Sequence, residues 1–336
     1  MEKILVTGGC GFIGSNFIKY LLKKDKNVRV TNLDKLTYAG NPENLFEVKN
    51  NPNYVFVKGD ICDKRIVSEL SSKNEVIINF AAETHVDRSI MEPEQFIKTD
   101  IFGTYTLLES ALEFNHKKFI QISTDEVYGS IENGSFREDA PLRPNSPYAA
   151  SKASADLLIL SYRKTYNLPS IIVRPSNNFG PNQYPEKLIP LFVTNALQNI
   201  PLPLYGDGKN VRDWLYVMDN CEAIHLILTD AIPGEIYNVG GSNEITNIEI
   251  TQKILSILGK SENLIKKVKD RPGHDRRYSL DCAKIKSTLG WKPKHTFESA
   301  LKDTIEWYKN NVSWWEAIKN RQEEFKKFYN QQYKSH

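Results

Sequence analysis

A doubly wound, parallel α/β sheet is what the first 175 residues predict, and three observations predict it. Short β-branched runs recur at 4–6, 28–30, 54–57, 76–78, 119–122 and 171–173. Between them, 13–23, 96–114 and 149–166 carry apolar residues at helical spacing. The connections are long enough for the crossovers that parallel strands require.

The first strand runs into Thr7-Gly8-Gly9-Cys10-Gly11-Phe12-Ile13-Gly14. Glycines at 8, 11 and 14 let the backbone turn tightly and approach a pyrophosphate. Phe12 and Ile13 open the helix whose amide dipoles favour negative charge. This is the fingerprint of a Rossmann-type fold. Asp34 closes the second strand, 20 residues beyond Gly14. There a carboxylate accepts from a ribose 2′-hydroxyl and repels a 2′-phosphate, so NAD is expected rather than NADP, with Lys35 softening the preference. The third and fourth strands end in Gly59-Asp60-Ile61 and Phe80-Ala81-Ala82, loops on the same carboxyl edge expected to border adenine and nicotinamide ribose. Thr99, in the next helical stretch, is expected beside the nicotinamide.

The fifth strand ends in Ser123-Thr124-Asp125-Glu126. Two adjacent carboxylates suit general acid and base work if their environments separate their pKa values. Adjacent residues of an extended strand face opposite ways, so the pair must lie where the strand has bent. Tyr148 and Lys152 are four residues apart on a helix introduced by Pro147, and so share one face. An ammonium near the phenol is expected to lower its pKa and make it a base.

Beyond Arg174-Pro175 the texture turns to Pro- and Asn-rich loops, so a smaller, mixed α/β substrate-binding domain is expected over 176–336, interleaved with the first. Segments 214–217 and 236–239 are expected to return as strands to the first sheet, within 211–240. The aromatic tail, 297–333, reads as a packing helix around Trp307, Trp314 and Trp315.

Composition excludes several classes. The formal charge is +3, too small and dispersed to suggest nucleic-acid binding. No window offers the ~18 apolar residues of a membrane span, and the opening residues lack the apolar stretch of a signal peptide. The four cysteines, Cys10, Cys62, Cys221 and Cys282, lie far apart, as reduced thiols of a cytoplasmic protein do. His85 has no second ligand at metal-binding spacing, so no metal is expected.

Longer stretches carry a closer likeness. Asp34-Lys35-Leu36-Thr37-Tyr38-Ala39-Gly40-Asn41, Ala81-Ala82-Glu83-Thr84-His85-Val86-Asp87-Arg88-Ser89, Ser123-Thr124-Asp125-Glu126-Val127-Tyr128-Gly129, Pro185-Glu186-Lys187-Leu188-Ile189-Pro190 and Asp270-Arg271-Pro272-Gly273-His274-Asp275-Arg276-Arg277-Tyr278 together span most of the chain. In them the sequence resembles the dTDP-glucose 4,6-dehydratases of the extended short-chain dehydrogenase/reductase family. Thr-Asp-Glu is the specific part, because related epimerases and decarboxylases lack the Asp-Glu pair.

The resemblance implies that Tyr148 takes the glucose 4-hydroxyl proton while NAD accepts hydride from C4. Glu126 then removes the C5 proton, Asp125 protonates the departing 6-hydroxyl, and hydride returns to C6. Thr124 would hydrogen-bond the 4-oxygen, and Thr37 and Asn178 would join the cofactor site. Thr84, Asn177, Glu186, Lys187, Leu188, Pro203, Tyr205, Arg212, Asn247, Arg271, His274 and Tyr278 would hold the sugar nucleotide. Arg212, Arg271 and His274 would lie at its diphosphate, and Tyr205 would stack on the pyrimidine. A homodimer with a helical interface is implied too. A sugar-nucleotide 4-epimerase or decarboxylase, a UDP-glucose dehydratase and a silent NAD-binding scaffold are the competing readings.

Overall fold

The computed structural model describes residues 2–321 together with Glu323, Phe325, Tyr329 and Gln332. Twelve strands occur in it: β1 (Glu2–Thr7), β2 (Val28–Asp34), β3 (Tyr54–Lys58), β4 (Val76–Asn79), β5 (Lys118–Ile122), β6 (Ser170–Pro175), β7 (Asn177–Phe179), β8 (Leu202–Tyr205), β9 (Val211–Tyr216), β10 (Ile236–Val239), β11 (Glu244–Thr246) and β12 (Ile265–Val268). Seven form one sheet, in the order β10-β6-β5-β4-β1-β2-β3. Every pairing in it is parallel. The winding reverses between β1 and β4, and ligands of such sheets bind outside the carboxyl ends at that reversal.

Alternation along the strands builds two cores. Ile4, Val6, Ile78, Ile120 and Val173 face helices Phe12–Lys24 and Val217–Asp230, whereas Leu5, Ile77, Phe119 and Ile172 face helices Lys64–Ser71, Thr104–Glu113 and Pro147–Tyr166. Strands buried on both faces must be apolar at every position, which is why these runs stand out in the sequence.

A third core lies in the C-terminal half, where helices Leu188–Leu197, Asn247–Leu258 and Phe297–Asn310 pack together. Thr246 and Glu249 form a reciprocal capping box at the start of the second of these. Trp315 is buried in this core, and Trp307 and Trp314 pack against it. Within the expected tail, helical structure covers Phe297–Asn310, Val312–Glu316 and Ala317–Arg321. Most of the remainder to residue 333 lies outside the described residues.

Two expectations need correction. Segment 236–239 does join the first sheet beside β6, but 214–217 does not. β9 instead pairs with β7 and β11 in a separate three-stranded sheet, and its last residue leads directly into the helix Val217–Asp230. Its alternation suits either sheet, and only the partner decides. The stretch 96–114 is also not one regular helix. It widens into a π-type segment over Ile97–Gly103 before continuing as Thr104–Glu113. Such a bulge re-aims side chains, and here it carries Asp100, whose carboxylate accepts from Glu83 N at 2.9 Å and Ser151 Oγ at 2.6 Å.

The sheet is tied to the helix Pro147–Tyr166 by an ion pair. Arg174 Nε lies 2.9 Å from Asp156 Oδ2, both side chains almost fully buried, and Arg174 also donates to the Tyr128 hydroxyl at 2.7 Å. Tyr128 donates onward to Asn238 on β10. Removing one partner leaves a buried charge alone, so Arg174→Leu is expected to cost about 3–5 kcal/mol in urea unfolding.

Candidate active site

At the end of β1 the backbone crosses close to the β4 loop. Gly8 has φ +68°, and a Cβ there would lie 2.5 Å from Ala81 N. Gly14 faces a similar limit, since its Cβ would meet Gly8 O at 2.5 Å. Gly11 precedes the helix Phe12–Lys24 without any side-chain cap, leaving the first amides available to a ligand. These amides open onto a cavity lined by Gly8, Gly11, Phe12, Ile13 and Gly14. An uncapped helix start behind glycines that admit no side chain fits the pyrophosphate of a dinucleotide.

The other residues expected at the cofactor line this cavity too: Asp34, Lys35, Thr37, Asp60, Ile61, Phe80, Ala81, Ala82, Thr99, Tyr148, Lys152 and Asn178. Asp34 also has a structural duty. Its carboxylate accepts from Cys10 N and Leu36 N, each at 2.8 Å, and so holds the glycine turn. Lys35 is turned aside by Asp60, at 2.8 Å.

Thr124 caps a short 3-10 turn, Asp125–Tyr128, with its hydroxyl accepting from Glu126 N at 3.3 Å. This turn is the bend that adjacent carboxylates require. Ser123, just before it, continues the strand pairing, donating its amide to Val173 O. Asp125 is 2% exposed. Burial, then the neighbouring Glu126, hold its carboxyl well above the usual range. Glu126 is also raised by burial, but Arg271, Arg212 and Lys187 pull it back toward the anion. The environments thus differ in the sense that favours a protonated Asp125 beside an ionised Glu126.

Ser146 caps the helix Pro147–Tyr166 and places Tyr148 in its first turn. One expectation fails here. The Tyr148 phenol is held well above its ordinary value by burial and by Glu126 and Asp100, with a Thr124 hydrogen bond as the opposing influence. Lys152 is not among the main influences on it; its ammonium donates to Ile122 O at 2.8 Å and is faced by Asp100 and Asp156. Burial is the largest influence, and the carboxylates of Glu126, Asp100 and Asp125 add to it.

A second cavity adjoins the first, and Thr84, Glu126, Asn177, Glu186 and Lys187 line both. Leu188, Pro203, Tyr205, Arg212, Asn247, Arg271, His274 and Tyr278 line the second only. Thr124 lines the first alone. Arg271 pairs with Asp87 at 3.0 Å, and Tyr205 donates to the same carboxylate at 2.9 Å. Arg212 donates to the carbonyls of Val211 and Asp275 and lies over the Tyr278 ring. Burial and the nearby arginines push His274 down to about 4, so it is neutral at pH 7.

Sequence reasoning missed Asp87, which lines this second cavity and ties Arg271 to Tyr205. It also missed Glu83, half-buried in the loop after β4, and Asp100, buried in the π-type segment beside it. Their only signal was an acid within an otherwise small or apolar stretch. Among the described residues no group of three His, Cys, Asp or Glu could hold a metal, and no helix is long and apolar enough to cross a membrane.

A glycine-turn dinucleotide cradle, a Tyr-Lys pair on one helix and an acid pair between two cavities define an NAD-type short-chain dehydrogenase/reductase of the extended, sugar-nucleotide kind. Residues 5–304 match the family model for GDP-mannose 4,6 dehydratase, and the chain belongs to that family. The dTDP-glucose 4,6-dehydratase of Streptomyces niveus is 48% identical over 96% of this chain and 97% of its own length. The low-salt glycan biosynthesis protein Agl12 of Haloferax volcanii is 52% identical over 91% of this chain and 98% of its own. The crystal structure of DesIV, a dTDP-glucose 4,6-dehydratase from Streptomyces venezuelae solved with NAD bound, superposes with a TM-score of 0.92. It is 48% identical and covers 94% of this chain and 99% of that one.

The acids at the cavity edge generate a pH prediction. Glu83 is pushed up to about 7, by burial and then by Asp100. A carboxyl raised on folding adds stability below its unfolded value and loses it as pH rises through the folded value. Glu83→Gln is therefore expected to lose less unfolding free energy than the parent between about pH 5 and about pH 8, measured by urea denaturation.

Proposed function

We propose that this chain converts dTDP-glucose to dTDP-4-keto-6-deoxyglucose and water. The observation that carries the reading is the Thr124-Asp125-Glu126 turn, set where the two cavities meet and beside Tyr148. Relatives named dTDP-glucose 4,6-dehydratase support it across nearly the full length. We propose further that the 1–175 portion, with β10, forms the NAD-binding domain and that 176–336 supplies most of the sugar-nucleotide site.

Gly8, Gly11, Gly14, Asp34 and the strand-end loops would hold NAD, which when bound would supply a hydride acceptor for C4 of the sugar and a hydride donor for C6. The chain's own residues manage the protons. Tyr148 receives the proton of the 4-hydroxyl as the phenolate, a form that the positive charge of a bound nicotinamide would favour against burial, and Thr124 orients that oxygen. The ketone so formed acidifies C5–H, which Glu126 removes as its cationic neighbours favour the anion. Asp125, kept protonated by burial, delivers its proton to the 6-oxygen so that water departs. Arg212 and Arg271 face the diphosphate, and Asp87 holds Arg271 in place for it.

Incubation with dTDP-glucose, followed by NMR, is expected to give the 4-keto-6-deoxy sugar with no net change in nicotinamide absorbance. A galactose-configured product would mark an epimerase and overturn the reading, and competition with UDP-glucose sets the nucleotide preference. Tyr148→Phe is expected to abolish oxidation. Asp125→Asn and Glu126→Gln should keep oxidation but slow water loss roughly 10²–10⁴-fold, read by rapid quench.

A homodimer is part of the proposal. Ile97 at 58%, Phe102 at 44% and Leu157 at 57% exposure put large apolar side chains on two helical segments that pack together. Leu157→Glu is expected to shift the mass seen by light scattering from dimer to monomer. Four free cysteines agree with a cytoplasmic setting.

A further inference from the structure

Phe325, Tyr329 and Gln332 are helical residues spaced by four and then three positions, so they share one face. Phe325 is buried in the third core, its ring 6.2 Å from that of Tyr184. The Tyr329 ring stacks on Phe325, and its hydroxyl accepts from Asn195 Nδ2 at 3.3 Å. Further back, Lys319 Nζ donates to Asn195 Oδ1 at 2.8 Å and to Gln198 Oε1 at 3.0 Å. These contacts lay the face along the helix Leu188–Leu197, whose Leu188, Leu191 and Phe192 line the second cavity.

The same face ends at that cavity's wall. Gln332 Nε2 donates to the Tyr205 hydroxyl at 2.6 Å. The hydroxyl donates in turn to Asp87 Oδ2 at 2.9 Å, and Arg271 Nη1 donates to Asp87 Oδ1 at 3.0 Å. A phenol oxygen has one hydrogen to give and lone pairs to receive with, so the two bonds at Tyr205 run in one direction and strengthen each other. The Tyr205 ring stands edge-on to His274, with centroids 6.0 Å apart. A ring held only at its Cβ can swing about two torsions, whereas one also held at its hydroxyl keeps its plane. Side chains from four separate segments thus form a line from position 332 to a guanidinium. Asp87, Tyr205, Arg271 and His274 line the second cavity, while Gln332 lines neither cavity and so acts through Tyr205.

We propose that Gln332 is a positioning residue for the nucleotide end of the substrate, steadying the Tyr205 ring for the base and, through Asp87, the Arg271 guanidinium for the diphosphate. The C-terminal helical face is then part of the nucleotide site as well as of the core. Contacts to a base and diphosphate far from the reacting carbons are the same in ground and transition states, so their loss weakens binding and leaves the chemical step alone. The inference rests on the dehydratase reading for the identity of the ligand.

Titration calorimetry of the full-length holoenzyme with dTDP tests it in a double-mutant cycle of Gln332→Leu and Tyr205→Phe. Removing the Gln332 donor is expected to weaken dTDP roughly 3–10-fold, the worth of one neutral hydrogen bond. In the Tyr205→Phe background the same change should add less than about 1.5-fold, because the hydroxyl it acts through is gone. With dTDP-glucose, Gln332→Leu should raise KM by a similar factor and keep kcat within about twofold of the parent. Unchanged dTDP affinity, an equal loss with and without the Tyr205 hydroxyl, or a fall in kcat at unchanged KM would each overturn the inference. So would a matching loss of NAD affinity, which marks general loosening. Gln332→Ala carries the same expectations if the Leu variant does not fold. A parent enzyme that binds no dTDP would instead sink the dehydratase reading, and the inference with it.

Discussion

Withdrawing two adjacent carboxylates from water at the end of β5, Asp125 wholly and Glu126 in part, is the constraint on which the rest of the site depends. A carboxylate taken out of water without partners is so unfavourable that it binds a proton instead. Asp125 is pushed that way, because burial and Glu126 act in the same direction. At Glu126 three cations from distant parts of the chain, Arg271, Arg212 and Lys187, oppose it. The asymmetry between two neighbouring residues is thus made by what the C-terminal half places opposite them.

The same logic runs outward. Lys187 is anchored by Thr84 O at 2.7 Å, and Arg271 by Asp87. Both anchors lie in the loop and short helix that follow β4, so the parallel sheet positions cations that themselves come from the second half. Asp100 holds that loop to the helix bearing Tyr148 and Lys152 through Glu83 N and Ser151. The π-type bulge at Ile97–Gly103 carries the carboxylate that makes this link, at the expense of a regular helix.

On the cofactor side the governing fact is steric. Gly8 and Ala81 approach so closely that any side chain at position 8 would collide with backbone. Asp34 then fixes the turn from the other side by receiving Cys10 N. Position and composition are inseparable here, which is why the glycine turn could be read before any coordinates. Asp34 is a fuller case, since its sequence position suggested a ribose contact and its contacts add a role in holding the loop.

What the sequence by itself determined is local: the strands of the first sheet, the glycine turn, and Tyr148 and Lys152 on one helix face. Each depends on residues within a few positions, through φ limits, alternation or helical spacing. The tertiary structure alone decided that β9 joins a separate sheet, that Lys152 turns to Ile122 O, and that Glu83 and Asp87 line the cavities with Asp100 beside Glu83. Strand partners are chosen by packing across the fold. Proton affinities are set by burial and by charges that meet only when 126, 187, 212 and 271 are brought together, and a linear pattern carries no distance between them.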